Sequence, residues 1–419
     1  MQHQLIGPFT QLLPMTNLPL KGAIKDSQLT IIPNAGILLK GETIIAIDDF
    51  DKLYKSSKEL KPTIIKINRP QVGMPGLVDA HTHICFGGTR ARDYAMRNAG
   101  SSYLEIAKAG GGIWDTVTQT RKESETALSS GIVKRANRHL LNGITTIEVK
   151  SGYGLSVAEE LKMLRAIQFA NQTCEVDLIA TCLAAHIFPK DYAGTISDYL
   201  AEISSTLFPF LKQENLSNRI DAFIEEEAFS AEIIAPYLER AQAMGFDITL
   251  HVDQFHAGSS AVAVKYKAIS ADHLEASTDQ EIQALAKSEV IAVALPGASI
   301  GLGCAFTPAR KLLDAGAALA IASDWNPGSA PMGDLMTQAA ILGTFEKLST
   351  VEVFAAMTFR AAAALNLEDR GQLKNGFLAD FISFPTNDYR EVLYQQGQLK
   401  PCSIWKRGEW VGPDRRTDS

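Results

Sequence analysis

The stretch Gly76-Leu77-Val78-Asp79-Ala80-His81-Thr82-His83 joins a short apolar run to two histidines that are one residue apart. On a β-strand, residues i and i+2 point to the same face. Both imidazoles would therefore project together from the end of one strand. Neutral imidazole is the commonest protein ligand for divalent transition metals. An isolated His-x-His is more often a pair of solvated histidines in a loop, so the rest of the chain decides between these two interpretations.

Downstream of this stretch, short apolar segments alternate with amphipathic ones. Strands are predicted over residues 77–81, 145–150, 178–186, 220–225, 248–252, 268–273, 290–295 and 319–324. Helices are predicted over 156–171, 230–244, 278–287, 332–345 and 349–365. Strands that alternate with helices favour a parallel sheet, and eight repeats over about 250 residues are typical of a (β/α)8 TIM barrel. A doubly wound open sheet is the alternative, but no Gly-x-Gly-x-x-Gly follows the first strand.

The segments on either side of the predicted barrel share a pattern of short strands separated by turns. Short β-branched runs at 31–32, 36–39, 43–47 and 63–67 are separated by turns at 34–36 and 40–42, and a helix is predicted at 49–60. In the C-terminal segment, strands are predicted at 379–384, 391–394 and 403–406. Neither segment is large enough for a core of its own. We therefore predict a composite β-sandwich from residues 1–72 and 369–419, with the catalytic barrel at 73–368.

Composition excludes several classes of function. The 419-residue chain is 46% hydrophobic and carries a formal net charge of −7. An acidic chain without a local cluster of Lys and Arg is not expected to bind nucleic acid or an anionic membrane. No uncharged apolar run reaches about 18 residues, and no signal peptide is evident. The five cysteines show no Cys-x-x-Cys spacing, so we predict a reducing compartment, the cytoplasm.

Histidines and one aspartate stand at the predicted carboxyl ends of the barrel strands, where α/β barrels carry their active sites. They are His81 and His83 on the first strand, His186 on the third, His251 on the fifth, His273 on the sixth and Asp324 on the eighth. Five of the eight histidines of the chain fall at these positions. This clustering is the strongest internal argument for a metal site.

His81, His83, His251 and Asp324 make a plausible ligand set with an open position, as a catalytic metal requires. Such a metal lowers the pKa of a water molecule to about 7. Asp324 is placed to accept a proton from that water, and His273 could polarise a carbonyl or move a proton. One metal is the simpler interpretation, because the predicted fourth strand has no lysine to bridge two. A pair bridged by Glu225 or Glu226 is the alternative.

Structural roles compete with these assignments. His186 could be a core histidine, Asp324 could cap a helix, and Arg90 could be an exposed arginine. His139 and His256 have no supporting context and are predicted to lie on the surface. His3 falls in a terminus that is expected to be loose.

Several longer motifs carry a family resemblance. They are Asp79-Ala80-His81-Thr82-His83 with Phe86-Gly87-Gly88-Thr89-Arg90, Ala109-Gly110-Gly111-Gly112-Ile113, Glu148-Val149-Lys150-Ser151-Gly152-Tyr153-Gly154-Leu155, Ala185-His186 and Ser323-Asp324-Trp325-Asn326-Pro327-Gly328-Ser329. With these motifs the chain resembles the amidohydrolase superfamily and, within it, the imidazolonepropionase family. The resemblance spans nearly the whole chain, and the second-strand and eighth-strand motifs are specific to that family.

The resemblance implies hydrolysis of a small anion, the cyclic amide 4-imidazolone-5-propanoate, to N-formimidoyl-L-glutamate, the third step of histidine degradation. It implies one zinc or iron ion. Carried over by position, the metal ligands are His81, His83, His251 and Asp324, the catalytic residues are Asp324, His273, His186 and Gln254, and the substrate contacts are Arg90, Tyr103, Tyr153, His186, Gln254, Asn326, Gly328 and Ser329.

Two positions qualify what the resemblance implies. The family carries Glu or Gln at the position of Gln254, and an amide can only orient the ring or the water, because it is no base at neutral pH. Trp325 stands where Phe is expected, which should alter packing more than chemistry. Arg90 would hold the substrate carboxylate.

Other functions stay open from the sequence. A deaminase of cytosine or guanine type would need a carboxylate near the fifth strand. Gln254 counts against it, although Glu225 or Glu275 keeps it possible. A non-catalytic metal-binding barrel is a third interpretation, and the complete set of ligand positions argues against it. We also predict a homodimer, on the expectation of an exposed apolar helix face.

Overall fold

The computed structural model of the chain describes residues 2–226 and 228–412. The strands are β1 (His3–Leu12), β2 (Ile32–Lys40), β3 (Thr43–Asp49), β4 (Thr63–Lys66), β5 (Val72–Pro75), β6 (Leu77–Asp79), β7 (Ile144–Lys150), β8 (Asp177–Ala185), β9 (Arg219–Phe223), β10 (Asp247–Val252), β11 (Ser270–His273), β12 (Ile291–Ala294), β13 (Ala318–Ile321), β14 (Phe381–Phe384), β15 (Ser403–Lys406) and β16 (Glu409–Trp410).

The α-helices connect these strands and cover the barrel. They are α1 (Phe50–Ser56), α2 (Ala91–Asn98), α3 (Tyr103–Lys108), α4 (Ile113–Lys122), α5 (Glu125–Leu141), α6 (Val157–Asn171), α7 (Ile196–Glu202), α8 (Phe208–Gln213), α9 (Ala231–Ala243), α10 (Ser260–Lys265), α11 (Asp279–Ala286), α12 (Pro296–Leu302), α13 (Ala309–Ala315), α14 (Leu335–Glu346), α15 (Thr350–Met357), α16 (Phe359–Ala364) and α17 (Arg390–Tyr394). A π-helical turn, Ile203–Leu207, joins α7 to α8. None of the described helices has the length and apolarity needed to cross a lipid bilayer.

Strands β6 to β13 form the predicted barrel. Within the described ranges they make an eight-stranded parallel sheet in which each strand pairs with the next one in sequence. A parallel bridge between Thr82 and Trp325 closes the sheet, and the amide of His83 donates to the carbonyl of Trp325 at 2.9 Å. The fold class and all eight predicted strands are therefore confirmed.

Several barrel strands end earlier than the sequence predicted. β6 ends at Asp79, and β13 ends at Ile321. Residues at or just past the strand ends leave the extended conformation. His273, the last residue of β11, has a φ of 87°, and Asp324, which follows β13, has a φ of 50°. A positive φ at a non-glycine residue costs conformational energy and concentrates at functional sites.

The two terminal segments combine into one mixed sheet, as predicted. Its order is β16-β15-β14-β5-β1-β2-β3, with β4 also paired to β1. The first strand, β1, therefore lies near the middle of the sheet. The expectation of a loose terminus at His3 is wrong, because His3 opens β1 and pairs with Lys40. The domain bounds stay a prediction, and the pairing of β5 with both β1 and β14 places it in the terminal sheet.

Three local predictions are corrected. The predicted turn at 34–36 lies inside β2, where a left-handed Asn34 (φ 49°) interrupts regular geometry. The predicted strand at 391–394 is the helix α17, which begins where Asp388 accepts a hydrogen bond from the amide of Arg390. The predicted helix 349–365 divides at Thr358, whose backbone is not helical (φ −123°, ψ −104°).

Asp177 links the barrel to the terminal sheet. It opens β8 and accepts hydrogen bonds from Arg370 Nη1 at 2.5 Å and from Lys406 Nζ at 2.8 Å. Burial opposes ionisation of this carboxyl, but Lys406 and Arg370 outweigh it and lower the pKa of Asp177 to about 2. Asp177 thus pairs with two buried cations, whose side chains are only 8% and 2% exposed, and each cation has a second carboxylate partner, Asp369 for Arg370 and Asp380 for Lys406.

Replacing Asp177 by Asn is expected to lower the free energy of unfolding by about 2 to 3 kcal/mol at neutral pH, because Arg370 and Lys406 each lose one of two carboxylate partners. A folded-state pKa below the unfolded value of about 3.9 means that the stabilisation is present above pH 4 and is lost as the pH falls towards 2. Urea unfolding of both proteins at several pH values measures this difference. Asp191→Asn, which breaks a pair whose aspartate side chain is 56% exposed, should change the free energy by under about 1 kcal/mol.

Candidate metal centre

Three histidine nitrogens converge inside the carboxyl end of the barrel. His81 Nε2 lies 3.2 Å from His83 Nε2, which lies 3.3 Å from His251 Nε2. Asp324 Oδ1 approaches His81 Nε2 at 3.6 Å and His83 Nε2 at 3.5 Å. All four side chains are buried. The geometry therefore brings together the four residues that the strand ends pointed to.

Two carboxylates orient these histidines from behind. Asp272 Oδ2 lies 2.6 Å from His81 Nδ1, and Asp221 Oδ2 lies 3.0 Å from His251 Nδ1. An ionised carboxylate can only accept, so each Nδ1 carries the proton and each Nε2 presents a lone pair. Burial lowers the pKa of both His81 and His83 well below its usual range.

Neutral imidazoles whose Nε2 lone pairs face one another repel unless a cation lies between them. His81, His83 and His251 could together hold a metal ion, and Asp324 adds an oxygen donor beside them. Nitrogen and carboxylate donors in this number suit zinc or iron. The residues present therefore fit a mononuclear catalytic site.

A buried lysine joins the two orienting carboxylates. Lys150 Nζ lies 2.8 Å from Asp221 Oδ2, 3.7 Å from Asp272 Oδ2 and 2.8 Å from Glu148 Oε1. All four side chains are fully buried. Burial raises the pKa of Asp272, and Lys150 acts in the opposite direction. Lys150 is thus the positive charge that favours the ionised form of the groups behind the histidines.

Asp324 is held by the loop that follows it. Asn326 Nδ2 donates to Asp324 Oδ2 at 2.9 Å. Asn326 Oδ1 accepts from the amides of Gly328 and Ser329 at 2.7 and 2.8 Å. Burial raises the pKa of Asp324 to about 6. The loop therefore fixes a carboxylate that is ionised at neutral pH but takes a proton readily.

His186 and Tyr153 form an aromatic wall beside His83. The ring centroids of His83 and His186 are 5.4 Å apart, and Tyr153 lies 5.9 Å from His83. His186 Nδ1 is 3.0 Å from the carbonyl oxygen of Gly152, which can only accept. Burial lowers the pKa of His186 to about 3, so its ring is neutral and is not a proton donor of imidazolium type.

His273 packs beside His251 and His81, with ring centroids 5.3 Å and 5.8 Å apart. Its Nδ1 lies 3.3 Å from Glu275 Oε1, and its carbonyl accepts from Thr307 Oγ1 at 2.6 Å. Burial disfavours the charged ring, but the Glu275 carboxylate outweighs it and raises the pKa of His273. His273 is therefore the histidine of the site that is best suited to donate a proton.

The other predicted site residues lie around this centre. Arg90 is half-buried and approaches Gly328, and a Cβ added at that glycine would be 3.1 Å from Arg90 Nη1. Gln254 is half-buried in the loop after β10. The side chain of Tyr103 is outside the described residues.

The two histidines that were predicted to lie on the surface differ in the structure, because one is buried and the other is exposed. His139 is fully buried, lies 3.2 Å from Asp79 Oδ2 and packs against Trp325 at 4.7 Å between centroids, so its predicted surface position is wrong. His256 is exposed and pairs with Glu225 at 2.9 Å. Glu225 also accepts from the amide of Phe255 at 2.8 Å, so this loop already engages the carboxylate proposed to bridge two metals.

Sequence reasoning missed the orienting carboxylates Asp221 and Asp272. Both lie within predicted strands, where a charge in an apolar run would have been the available signal. Buried charges need partners, and Lys150 supplies the opposite sign on a neighbouring part of the barrel.

Replacing Asp272 by Asn is expected to weaken metal binding by roughly 10- to 100-fold, because the amide no longer fixes the Nδ1–H of His81 with a charge. Competition with a chromophoric chelator measures the metal Kd. Asp253→Asn is the matched control, since this buried aspartate binds Ser259 and Ser277 rather than a histidine. An unchanged Kd for the Asp272 variant would remove that residue from the metal site.

Comparisons with known proteins agree on one family. The Amidohydrolase family model matches residues 103–392. Imidazolonepropionase from Bdellovibrio bacteriovorus is 36% identical over 405 residues, covering 94% of this chain and 95% of the relative. Imidazolonepropionase from Pseudomonas aeruginosa is 40% identical over 340 residues, covering 80% and 85%.

Solved structures share the fold at lower identity. Atrazine chlorohydrolase from Arthrobacter aurescens, complexed with zinc, superposes with a TM-score of 0.71 at 17% identity and covers 97% of this chain and 95% of its own. An adenosine deaminase from Xanthomonas campestris with bound zinc gives a TM-score of 0.68 at 18% identity, with 97% and 92% covered. At these identities the structures support the fold alone.

Proposed function

The chain belongs to the amidohydrolase family and, within it, to the imidazolonepropionases, and from this membership we propose that it hydrolyses 4-imidazolone-5-propanoate to N-formimidoyl-L-glutamate. The observation that carries the proposal is the buried set of His81, His83, His251 and Asp324 with Arg90 nearby. A hydrolytic centre beside one cation suits a cyclic amide that bears a single carboxylate.

The three histidines and Asp324 would hold one zinc or iron ion. When bound, the metal lowers the pKa of a water molecule and makes a nucleophile available at neutral pH. Which of the two metals is native is decided by metal analysis of the purified protein, followed by reconstitution of the metal-free protein with each ion.

Asp324 and His273 carry the proton transfers. Water adds to the ring carbonyl carbon, and Asp324 accepts the proton of that water. Because burial raises the pKa of Asp324 to about 6, this carboxylate can accept the proton at neutral pH and release it in a later step. His273 donates a hydrogen bond to the carbonyl oxygen as negative charge develops there. The carbon–nitrogen bond then breaks, and the ring nitrogen leaves with the proton that Asp324 accepted.

The remaining residues bind and orient the substrate. Arg90 pairs with the propanoate carboxylate, and the wall of Tyr153 and His186 packs on the planar ring. Asn326 with its loop holds Asp324, Gly328 and Ser329 in register. Gln254 orients the ring or the water, and Tyr103 is proposed as a further pocket residue from the resemblance alone.

The ultraviolet absorbance of freshly generated 4-imidazolone-5-propanoate tests this function. Addition of the protein should remove the ring absorbance and form N-formimidoyl-glutamate, chelation should stop the reaction, and added metal should restore it. A protein that holds about one equivalent of metal but leaves the absorbance unchanged would contradict the proposal. Deaminase substrates would then be tested, although Glu275 already pairs with His273 and Glu225 with His256.

Two further proposals concern the setting of the enzyme, namely a homodimer and a cytoplasmic location. Exposed aromatic side chains support self-association, with Phe345 65% and Tyr394 78% exposed. Light scattering coupled to size-exclusion chromatography measures the mass in solution, and cell fractionation tests the location. A mass equal to that of one chain at all concentrations would contradict the dimer.

A further inference from the structure

Arg90 is held at one edge by a buried carboxylate that the proposed reaction does not use. Its Nε donates to Asp93 Oδ2, while its Nη1 reaches Thr116 Oγ1 only at 3.5 Å. Asp93 is 3% exposed, and the Arg90 side chain is 11% exposed. Asp93 therefore fixes the guanidinium through Nε, and the Nη edge of the group faces away from Asp93.

The Nη edge of Arg90 lies against the loop that follows Asp324. A Cβ added at Gly328 would stand 3.1 Å from Arg90 Nη1 and 3.3 Å from Asn326 Oδ1. Asn326 in turn binds the carboxylate of Asp324. The Nη edge of the guanidinium thus lies close to the loop that binds Asp324, the loop to which the proposed function assigns substrate contacts.

The glycines at 110–112 complete the clamp on Asp93. The amide of Gly112 donates to Asp93 Oδ2 at 2.8 Å. A Cβ at Gly111 would lie 2.3 Å from Asp93 Oδ1 and 2.7 Å from its Cγ. Gly111 does not have the positive φ of Gly110 and Gly112, so the close approach to Asp93, rather than backbone conformation, requires glycine at this position.

We propose that Asp93, clamped by Gly111 and Gly112, is a positioning residue that presents the Nη edge of Arg90 to the carboxylate of the substrate. The inference rests on the proposed function and deepens it, because it assigns the geometry of the subsite that selects a carboxylate-bearing ring. Asp93 acts through Arg90 and does not itself contact the substrate.

Charge and geometry predict opposite effects for the removal of Asp93. If Asp93 acted only as a nearby negative charge, its neutralisation would strengthen the attraction between Arg90 and an anionic substrate, and KM would fall. If Asp93 positions Arg90, a loosened guanidinium forms a poorer pair with the carboxylate, and KM rises. The sign of the change in KM therefore separates the two roles.

Steady-state kinetics of Asp93→Asn on 4-imidazolone-5-propanoate test the proposal. We expect KM to rise at least about tenfold, the value of one weakened charge-assisted pair, while kcat changes by less than about threefold. The metal content should equal that of the wild type. Gly111→Ala, which forces the Asp93 carboxylate away, should raise KM in the same direction.

Two comparisons show whether the effect passes through Arg90. Asp115→Asn removes a carboxylate from α4, the helix that follows Gly111 and Gly112; it accepts from Gln119 rather than from Arg90, and the variant should leave KM within about twofold of the wild type. Arg90→Ala should raise KM strongly, and adding Asp93→Asn to it should change KM no further, because the partner is already gone.

A KM for Asp93→Asn that is unchanged or lower, or a further rise in the double variant, would overturn the positioning role. If the wild-type protein does not turn over this substrate, the proposed function fails while the clamp can still be tested. Crystal structures of the wild type and Asp93→Asn then decide, and an Arg90 guanidinium in the same ordered position in both would overturn the inference.

Discussion

Replacing Asp324 by Asn is expected to lower kcat by a factor of about 1,000, because the proposed proton acceptor becomes an amide. Asparagine keeps the shape of the side chain, and its amide oxygen can still accept the hydrogen bond from Asn326 Nδ2. The fold should therefore persist. Ring-opening rates at saturating substrate, with metal content measured on the same samples, check this prediction.

Asp334→Asn serves as the control for the Asp324 variant. Asp334 caps α14 by accepting from the amide of Thr337 at 3.1 Å, so its replacement tests the loss of a nearby carboxylate without touching the centre. We expect a small loss of stability and an unchanged kcat. If Asp324→Asn keeps more than about a tenth of the wild-type kcat with metal bound, Asp324 is not the proton acceptor.

Replacing Lys150 by Met is expected to lower the free energy of unfolding by about 4 kcal/mol, because three buried carboxyl groups lose their shared cation. The neighbouring carboxylates outweigh burial and raise the pKa of Lys150, so the lysine is charged in the folded state. Urea unfolding of the metal-free proteins measures the change, since a bound metal would add its own stabilisation.

Glu148→Gln is the matched control for Lys150→Met. Burial raises the pKa of Glu148 to about 7, so this carboxyl is only partly ionised at neutral pH and contributes little charge. Lys150 keeps Asp221 and Asp272 in this variant, and the loss should stay under about 1.5 kcal/mol. If the two variants lose equal free energy of unfolding, the packing of these side chains, rather than the charge of Lys150, determines the stability that the cluster provides.

The barrel and the convergence of the proposed metal ligands could be predicted because both follow from strand periodicity. An apolar run that ends in a histidine or an aspartate at the carboxyl end of a strand marks both the strand and the site. His81, His83, His251 and Asp324 satisfy this pattern and converge in the structure. Only the closure of the sheet depends on contacts between residues that are far apart in sequence, and the eight strand–helix repeats already implied this closure.

Other features could not be predicted, because they depend on contacts between distant parts of the sequence or because one residue interrupts the local strand pattern. Asp221 and Asp272 could be assigned only when Lys150 was seen between them. Strand β1 was missed because Pro8 interrupts it, and the structure accommodates this residue with a register shift between Ile6 and Phe9.

Some missed residues had a usable local signal. In α5, the buried residues Leu128, Ile132, Ala136 and His139 are spaced by four, four and three positions, which places His139 on the apolar face of the helix. Attention to this spacing would have predicted a buried histidine. By contrast, the helix α17 is too short for periodicity to distinguish it from a strand.

The terminal sheet has a consequence for synthesis on the ribosome. Strands β1 to β5 emerge before every barrel strand, whereas β14, which pairs with β5, emerges after them. The β5 edge therefore stays open while some 300 residues are translated, and open strand edges invite pairing between nascent chains. Only a chain that has been translated past Phe384 can cover this edge, so protection of the edge against aggregation depends on a short strand that is synthesised after the whole barrel.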